Sequence, residues 1–297
     1  MRRTIKVGSR GSALAIAQAK LVINAVKTRF PELETELVTM KTSGDINMKP
    51  FADSVDKFGI KGLFTKELED ALSGGIIDFA VHSLKDVPLV ENEELPLVAL
   101  TARGDARDAL VMPKDGLSSP EKPVGCSSAR RRIQLLELRQ GCKVMPVRGN
   151  IITRLDKLDC GEYSALVLAA AGLCRAGLGN RITRLFGVDE MVPAAGQGIL
   201  ACQGRAGEDY SYLDAVRNKE SSFCAAAERS FAAALGGGCT SPVASYAELK
   251  DGMIYLRGFY AEEDSGVSRR GAIEGAACDA EKLGEELANR LKGARRS

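Results

Sequence analysis

Hydrophobic positions along this chain switch repeatedly between two periods. Short apolar runs of strand type are separated by stretches whose apolar residues recur every three or four positions. TIKVGS (4–9), ETELVTM (34–40), IIDFAVHS (76–83) and LPLVALTA (95–102) predict strands. A helix is predicted after Ser12, a candidate N-cap, with Leu14, Ala17, Leu21 and Ala25 along its apolar face. KGLFTKELEDALSGG (61–75) predicts a helix stopped by glycines. The alternation resumes with DALVMP, PVGCSS, a helix RRRIQLLEL, KVMPVRG, a helix NIITRLDKL and SALVLAAA. Such a βαβ rhythm predicts an α/β fold with parallel or mixed sheets and helices on both faces.

VGSRGSAL (7–14) and VGCSSARR (124–131) echo one another. Each reads as a strand end, a Gly/Ser turn and a helix start, so two similar α/β domains with a cleft between them are expected. From residue 219 the pattern changes to an Ala-rich helix (221–235), a hairpin AELKDGMIYLRGFYA and a helix near 279–292. That predicts a third, small α+β domain. PAAGQG (193–198) marks either a hinge or an ordinary loop.

Net charge of +2 and 27% charged residues leave no general basic field for nucleic acid, so basic residues are judged site by site. The most apolar run, ALVLAAAGL (165–173), falls short of the ~18 residues of a membrane span. No apolar signal core follows the first arginines, so a cytoplasmic protein is expected. Eight cysteines without CxxC spacing, and one histidine, predict neither zinc nor disulfides. Most thiols are then expected to be small apolar packers. Cys239 stands apart in LGGGCTSP (235–242), because its neighbours are glycines.

Three arginines in SSARRR (127–132) sit in a helix's first turn, where they oppose the macrodipole. Either this is a solvated basic helix start, or an anion bound by backbone N–H groups and guanidinium forks reverses the penalty. Arg10 in the first echo, with Arg148 and Arg154 in VRGNIITR, favours a carboxylate or phosphate site. AVHSLKDVP (80–88) places Lys85 and Asp86 just beyond a strand, where open α/β sheets bind ligands. Asp86 there either handles protons and stabilises a cation, or makes an Asx-type turn before Pro88. His82 reads as a hydrogen-bonded structural residue. FGIKGLFTKE (58–67) lacks the P-loop pattern.

Taken together, SRGSALA, GDI, KGLFTKELE, DFAVHSLKDVP, GCSSARRR, VRGNIITRL, LAAAGLCRAGL, PAAGQGIL and GGGCTSPVASYAEL resemble the porphobilinogen deaminase family, in family order and over essentially the whole chain. The departures are Cys126 for a usual Thr, Ile60 and Ser43 for a common Gly and Arg, and Cys174 for a frequent Lys.

The resemblance implies three domains, 1–98 with 198–216, 99–197 and 217–297, the first two like periplasmic binding proteins. It implies a transferase that adds four porphobilinogen units, each losing ammonia through an azafulvene electrophile, and then releases hydroxymethylbilane by hydrolysis. The primer is a dipyrromethane cofactor in thioether linkage to Cys239. Asp86 is the implied catalytic residue. The implied cofactor contacts are Lys85, Asp86, Ser127, Ser128, Arg130, Arg131, Arg148 and Gly149. Arg10, Ser12, Arg148, Arg154, Arg175 and Gln197 are the implied substrate contacts. Lys57, Lys61 and Phe64 fall on the family's active-site loop, and Arg132 falls outside its arginine pair, facing solvent. The partners implied are porphobilinogen and the growing polypyrrole chain, with no metal, nucleic acid or membrane, and a monomer is expected. A non-catalytic anion-binding protein would share the arginines but gives Asp86 and the GGGC loop no role. A cysteine acyltransferase needs a histidine base, and His82 is its one candidate.

Overall fold

The computed structural model describes residues 4–40, 62–116, 119–237, 241–262 and 267–293. The chain divides into two compact units, Met1–Arg103 with Ile199–Ser222 and Gly104–Gly198 with Phe223–Ser297.

In the first unit, β1 (Thr4–Arg10), β2 (Glu34–Met40), β3 (Phe79–Ser83), β4 (Leu97–Leu100) and β10 (Leu200–Gly204) form a mixed sheet in the order β2-β1-β3-β10-β4. β1 runs parallel to β2 and β3, whereas β10 is antiparallel to both β3 and β4. Side chains of β3 alternate between the faces, as the two-residue period requires. Phe79 and Val81 pack with Val22, Ile23 and Val26 of helix α1 (Ala13–Arg29). Ala80 packs with Leu68 and Leu72 of helix α2 (Gly62–Ser73). Helices therefore cover both faces, as the alternation predicts. Each fully buried Leu or Phe here contributes roughly 1.5–3 kcal/mol through removal from water.

The expected apolar face of α1 is corrected. Leu21 is 50% exposed, and the buried stripe is Ala19, Val22, Ile23 and Val26. Apolar residues surround most of this helix, so spacing alone admits both stripes. The one with three large β-branched residues buries more area and wins.

In the second unit, β5 (Asp108–Val111), β6 (Val124–Gly125), β7 (Val144–Met145), β8 (Ala165–Ala169) and β9 (Arg184–Leu185) follow the order β7-β6-β8-β5-β9. β6 is parallel to β7 and β8, and β5 is antiparallel to β8 and β9. This repeats the first unit's arrangement strand for strand, which gives the sequence echo its structural content. Helices α3 (Ala129–Leu138), α4 (Ile151–Asp159) and α5 (Ala170–Arg175) follow β6, β7 and β8.

The remainder of that unit is an antiparallel sheet, β11 (Val243–Lys250), β12 (Met253–Ala261) and β13 (Ser268–Ala276), with helix α7 (Ala280–Gly293). Helix α6 (Lys219–Ala234) brings Cys224, Ala227 and Phe231 into the same core. β13 is an addition to the predicted hairpin; its alternation of small and charged residues hides it from a hydrophobic scan. Glu228, fully buried in α6, accepts from Gly196 N and Ala247 N, both at 2.7 Å, and so ties PAAGQG to β11.

Helix α6 ends at the glycines of LGGGCTSP. Gly236 has φ +66° and donates to Ala233 O at 2.9 Å, while Gly237 donates to Ala232 O at 2.7 Å. This paired Schellman closure needs a left-handed residue at the first position. A Cβ on Gly237 would lie 2.5 Å from Ala232 O, a backbone atom that cannot swing away. Gly236→Ala is expected to cost about 1–2 kcal/mol, and Gly237→Ala more than that. Urea unfolding of the two variants checks the order; a smaller loss at Gly237 contradicts it.

The expectation that most thiols are apolar packers is corrected as well. Cys126, Cys202 and Cys224 are buried, but Cys160, Cys174 and Cys278 are exposed and Cys142 is half-buried. The exposed ones lie at helix ends and turns, where neighbouring apolar residues in sequence face the other way.

Candidate functional site

Most of the predicted site residues that are described lie beyond the carboxyl ends of the parallel strands in each sheet. In the first unit β1 delivers Arg10 and then Ser12, which caps α1 by accepting from Ala15 N at 3.3 Å. Its parallel neighbour β3 delivers a 3-10 turn, Leu84–Asp86. Leu84 is fully buried and donates its N–H to Ile199 O at 3.0 Å, and Val87 N closes the turn on Leu84 O at 3.1 Å. Lys85 and Asp86 are left half-buried. The turn is thus closed by backbone groups, and Pro88 has no N–H for an Asx turn to use. Ser83 and buried Gln18 are hydrogen-bonded at 3.0 Å, fixing β3 to α1 just before the turn.

His82, on the α2 face of β3, has its pKa pushed down to about 4. Burial dominates, Gln203 and Asp86 raise it, and Arg10 lowers it. The ring is therefore neutral near pH 7, but its Nε2 is buried with no hydrogen-bond partner among the described residues, so the expected hydrogen bonding is not met at that atom.

In the second unit β6 leads into Cys126, Ser127 and Ser128. Ser128 caps α3, accepting from Arg131 N at 3.4 Å. Ser127 Oγ donates to Val147 O at 2.5 Å and accepts from Val147 N at 3.0 Å, locking this turn to the one after β7. That second turn holds Arg148 and Gly149, and Asn150 caps α4 through Thr153 N at 3.0 Å. Gly149 has φ +107°, and a Cβ there would sit 2.8 Å from the Thr153 side chain. Arg154 donates Nε to Gly149 O at 2.8 Å. After β8, Arg175 at the end of α5 donates to Gly198 O at 2.5 Å; burial pushes its pKa down.

The arginines of SSARRR separate by environment. Arg130 is 4% exposed, and its Nη1 donates to Asp108 Oδ2 and to Val192 O, both at 2.7 Å. Arg131 donates Nε to Asp108 Oδ1 at 3.0 Å and Nη2 to Gln197 Oε1 at 3.4 Å. Arg132 is exposed, as expected for a residue outside the pair. Asp108 is the participant that the sequence reading passed over. It opens an otherwise apolar strand, DALV, and an aspartate at the head of an apolar run is the one signal the sequence offers for it.

Lys57, Lys61 and Cys239 lie outside the described residues, as does Ser43; Phe64 belongs to α2 by its backbone, and its side chain is not described. Of the departures from the family pattern, Cys126 is buried with Sγ 3.6 Å from Ser128 O, and burial pushes its thiol pKa up. It packs the turn rather than binding within it.

Residues 5–212 match the family model described as porphobilinogen deaminase, dipyromethane cofactor binding domain, and residues 222–293 match its C-terminal domain. The chain belongs to the porphobilinogen deaminase family. A porphobilinogen deaminase from Ruminiclostridium josui is 47% identical over 293 residues, covering 99% of both chains. The one from Alkaliphilus oremlandii is 49% identical over 291 residues, 97% of each. Among solved structures the methionine-binding protein MetQ aligns with 74% of this chain and 92% of its own at 16% identity and TM-score 0.44, too slight a likeness to carry an argument. The family's cofactor-binding domain thus spans both sets of strand ends, Arg10 to Asp86 and Ser127 to Arg175. No helix among the described residues is long and apolar enough to cross a membrane.

Proposed function

We propose that this chain is a cytoplasmic, monomeric enzyme that joins four porphobilinogen units head to tail, expelling ammonia at each addition, and releases hydroxymethylbilane by hydrolysis. The observation that carries this reading is the match of the cofactor-binding family model across residues 5–212. The three-domain division with boundaries near 98, 198 and 217 belongs to the same proposal.

A dipyrromethane held through Cys239 supplies, when bound, the pyrrole end onto which new units are added. The donor set fits such a group. Each pyrrole unit carries an acetate and a propionate, so its binding surface must offer several fixed cations and N–H donors. Arg131, Arg148 and Arg154, with the capped starts of α3 and α4, supply those beyond β6 and β7. Arg175 adds one beyond β8. The other unit carries its own set beyond β1 and β3, Arg10, Ser12 and Lys85. Side-chain bonds such as the pair that Ser127 makes to Val147 hold the turns still, so little order is lost when a carboxylate arrives.

Asp86 is assigned the reaction itself. A carboxylate beyond β3 stabilises the positive charge that develops on substrate as its amine departs, and accepts hydrogen bonds from pyrrole N–H groups. Incubation with porphobilinogen tests the reading: ammonia should appear in step with substrate loss, and a linear tetrapyrrole should be released. Porphobilinogen left unconsumed by folded protein carrying its adduct would refute it.

The arginines are not equivalent. Charge-assisted hydrogen bonds contribute roughly 1.5–3 kcal/mol each, so Arg131→Leu or Arg148→Leu should weaken cofactor assembly or an early addition about 10- to 100-fold. Arg132→Leu, at an exposed position, should change either by less than about twofold. Intact mass and single-turnover kinetics measure both, and equal losses at Arg131 and Arg132 contradict the assignment.

A further inference from the structure

We propose that Gln134 is a positioning residue for the carboxylate site beyond β6: it clasps a strap, residues 189–193, and through that strap the antiparallel sheet fixes the start of helix α3 in the frame of helix α6. The inference rests on the deaminase reading, in which α3 begins at the cofactor's carboxylates and α6 leads to Cys239.

The sheet β11–β12–β13 is covered on both faces, and the two-residue period assigns each side chain to one of them. Ile254 and Leu256 of β12, with Ala247 of β11 and Ile273 of β13, belong to the core shared with α6 and α7. Gly258 continues that face: a Cβ there would lie 2.5 Å from the Phe231 ring of α6 and 3.0 Å from Leu287 of α7. Its neighbour Phe259 is fully buried on the other face, in a cluster with Val192, Ala244, Ala261 and Ile133. On that same face Arg257 donates Nε to Asp189 Oδ1 at 2.7 Å. From the open edge of β11, Ser245 donates its N–H to Pro193 O at 3.1 Å. The sheet thus fastens the strap by ion pair, apolar packing and backbone.

Helix α3 grips the same strap. Gln134 is fully buried, and its amide meets the Val192 backbone twice: Oε1 accepts from Val192 N at 2.8 Å and Nε2 donates to Val192 O at 3.1 Å. One orientation of the amide satisfies both groups, so the side chain is fixed. Arg130, one turn earlier on α3, donates to the same Val192 O at 2.7 Å. In the last turn Glu137 accepts from Arg270 Nη2 at 2.7 Å, and Arg270 Nη1 donates to Asp189 O at 3.2 Å. Those two side chains are 35% and 33% exposed, so their ion pair contributes little. The hold therefore resides in Gln134, whose loss leaves the Val192 N–H buried without this acceptor. Because Gln134 stands one turn beyond Arg130 and Arg131, what fixes it fixes the start of the helix.

The test compares wild type with Gln134→Met and with Ile254→Val, a loss on the helix face of the same sheet. Thermal melting, intact mass, porphobilinogen kinetics and hydrogen exchange are measured on each. In Gln134→Met the Val192 N–H should exchange about tenfold faster or more. Its KM should rise about tenfold with kcat within about threefold, because the contacts at the start of α3 have lost their register. Ile254→Val should also melt below wild type, yet keep KM within about twofold. Folded Gln134→Met with wild-type KM overturns the proposal, since the clasp would then be packing alone. An equal rise in KM for Ile254→Val overturns it too, since any loss of stability would then suffice. Should Gln134→Met fail to fold, the wild type decides. Exchange in rising urea should show the Val192 and Ser245 N–H groups opening together, with one free energy and one urea dependence. Separate openings would mean that α3 and the sheet hold the strap independently, and the proposal falls. These exchange measurements need no substrate, whereas adduct mass and porphobilinogen turnover of the wild type test the deaminase reading, so the two failures are told apart.

Discussion

Cys239→Ser protein is expected to fold, to carry no covalent adduct and to turn over no porphobilinogen. The chain holds seven other cysteines, and three of those described are exposed, so accessibility alone does not single out Cys239. Its setting does. In sequence it follows three glycines, of which Gly236 and Gly237 end helix α6 through backbone hydrogen bonds. Cys160 and Cys174 sit at the ends of α4 and α5 instead, and Cys278 lies in the turn before α7. Burial makes Cys202 unfit, pushing its thiol pKa up to about 12. A serine oxygen is close to the sulfur in size, and the core that α6 joins is built from Cys224, Ala227 and Phe231, so stability should depend little on the exchange itself. Loss of the bound polyanion acts separately. Without it the repulsion among the arginines is less fully offset, and the variant should melt below the adducted wild type. Peptide mapping beside intact mass checks the claim. An unmodified Cys239 in active enzyme, or an adduct on another cysteine, would sink the assignment.

Most of what positions the site was legible because it obeys short-range rules. A β-strand ending in a Gly/Ser turn with a capping serine is local chemistry: Ser12 caps as expected, and Ser128 caps at the matching place in the echo. The echo between the two segments even extends to matching strand orders. What stayed hidden depends on partners distant in sequence. Asp108 meets Arg130 across 22 positions and Gln197 across 89, and nothing in DALVMP announces either. The exposed side of α1 was misjudged because only the sheet decides between two apolar stripes. Gly236 and Gly237 have a structural reason, the end of α6, that precedes any benefit to a bound adduct.

Asp86→Asn and Asp86→Ala should nearly abolish turnover while leaving the fold intact. The turn that carries Asp86 is held by Leu84, fully buried, by its N–H on Ile199 O at 3.0 Å and by the Val87-to-Leu84 backbone bond at 3.1 Å. None of these uses the Asp86 carboxylate, so the melting temperature should hardly move. Catalysis is different, because the work proposed for this group is to meet a positive charge present only as the amine leaves. Asparagine keeps the shape and one acceptor oxygen but brings no charge, whereas alanine removes both. If charge is what matters, the two variants should fall together. If a hydrogen bond to pyrrole N–H were the main contribution, Asn would retain most of the rate and only Ala would fail. A residual kcat above about a tenth of wild type, a loss under ~1.4 kcal/mol, removes Asp86 from the central role. Single-turnover measurements on protein already carrying its adduct separate this from a failure to assemble the cofactor. The variant must first be shown to hold the adduct by mass, because on the proposed reading the same carboxylate would also serve the steps that build the primer.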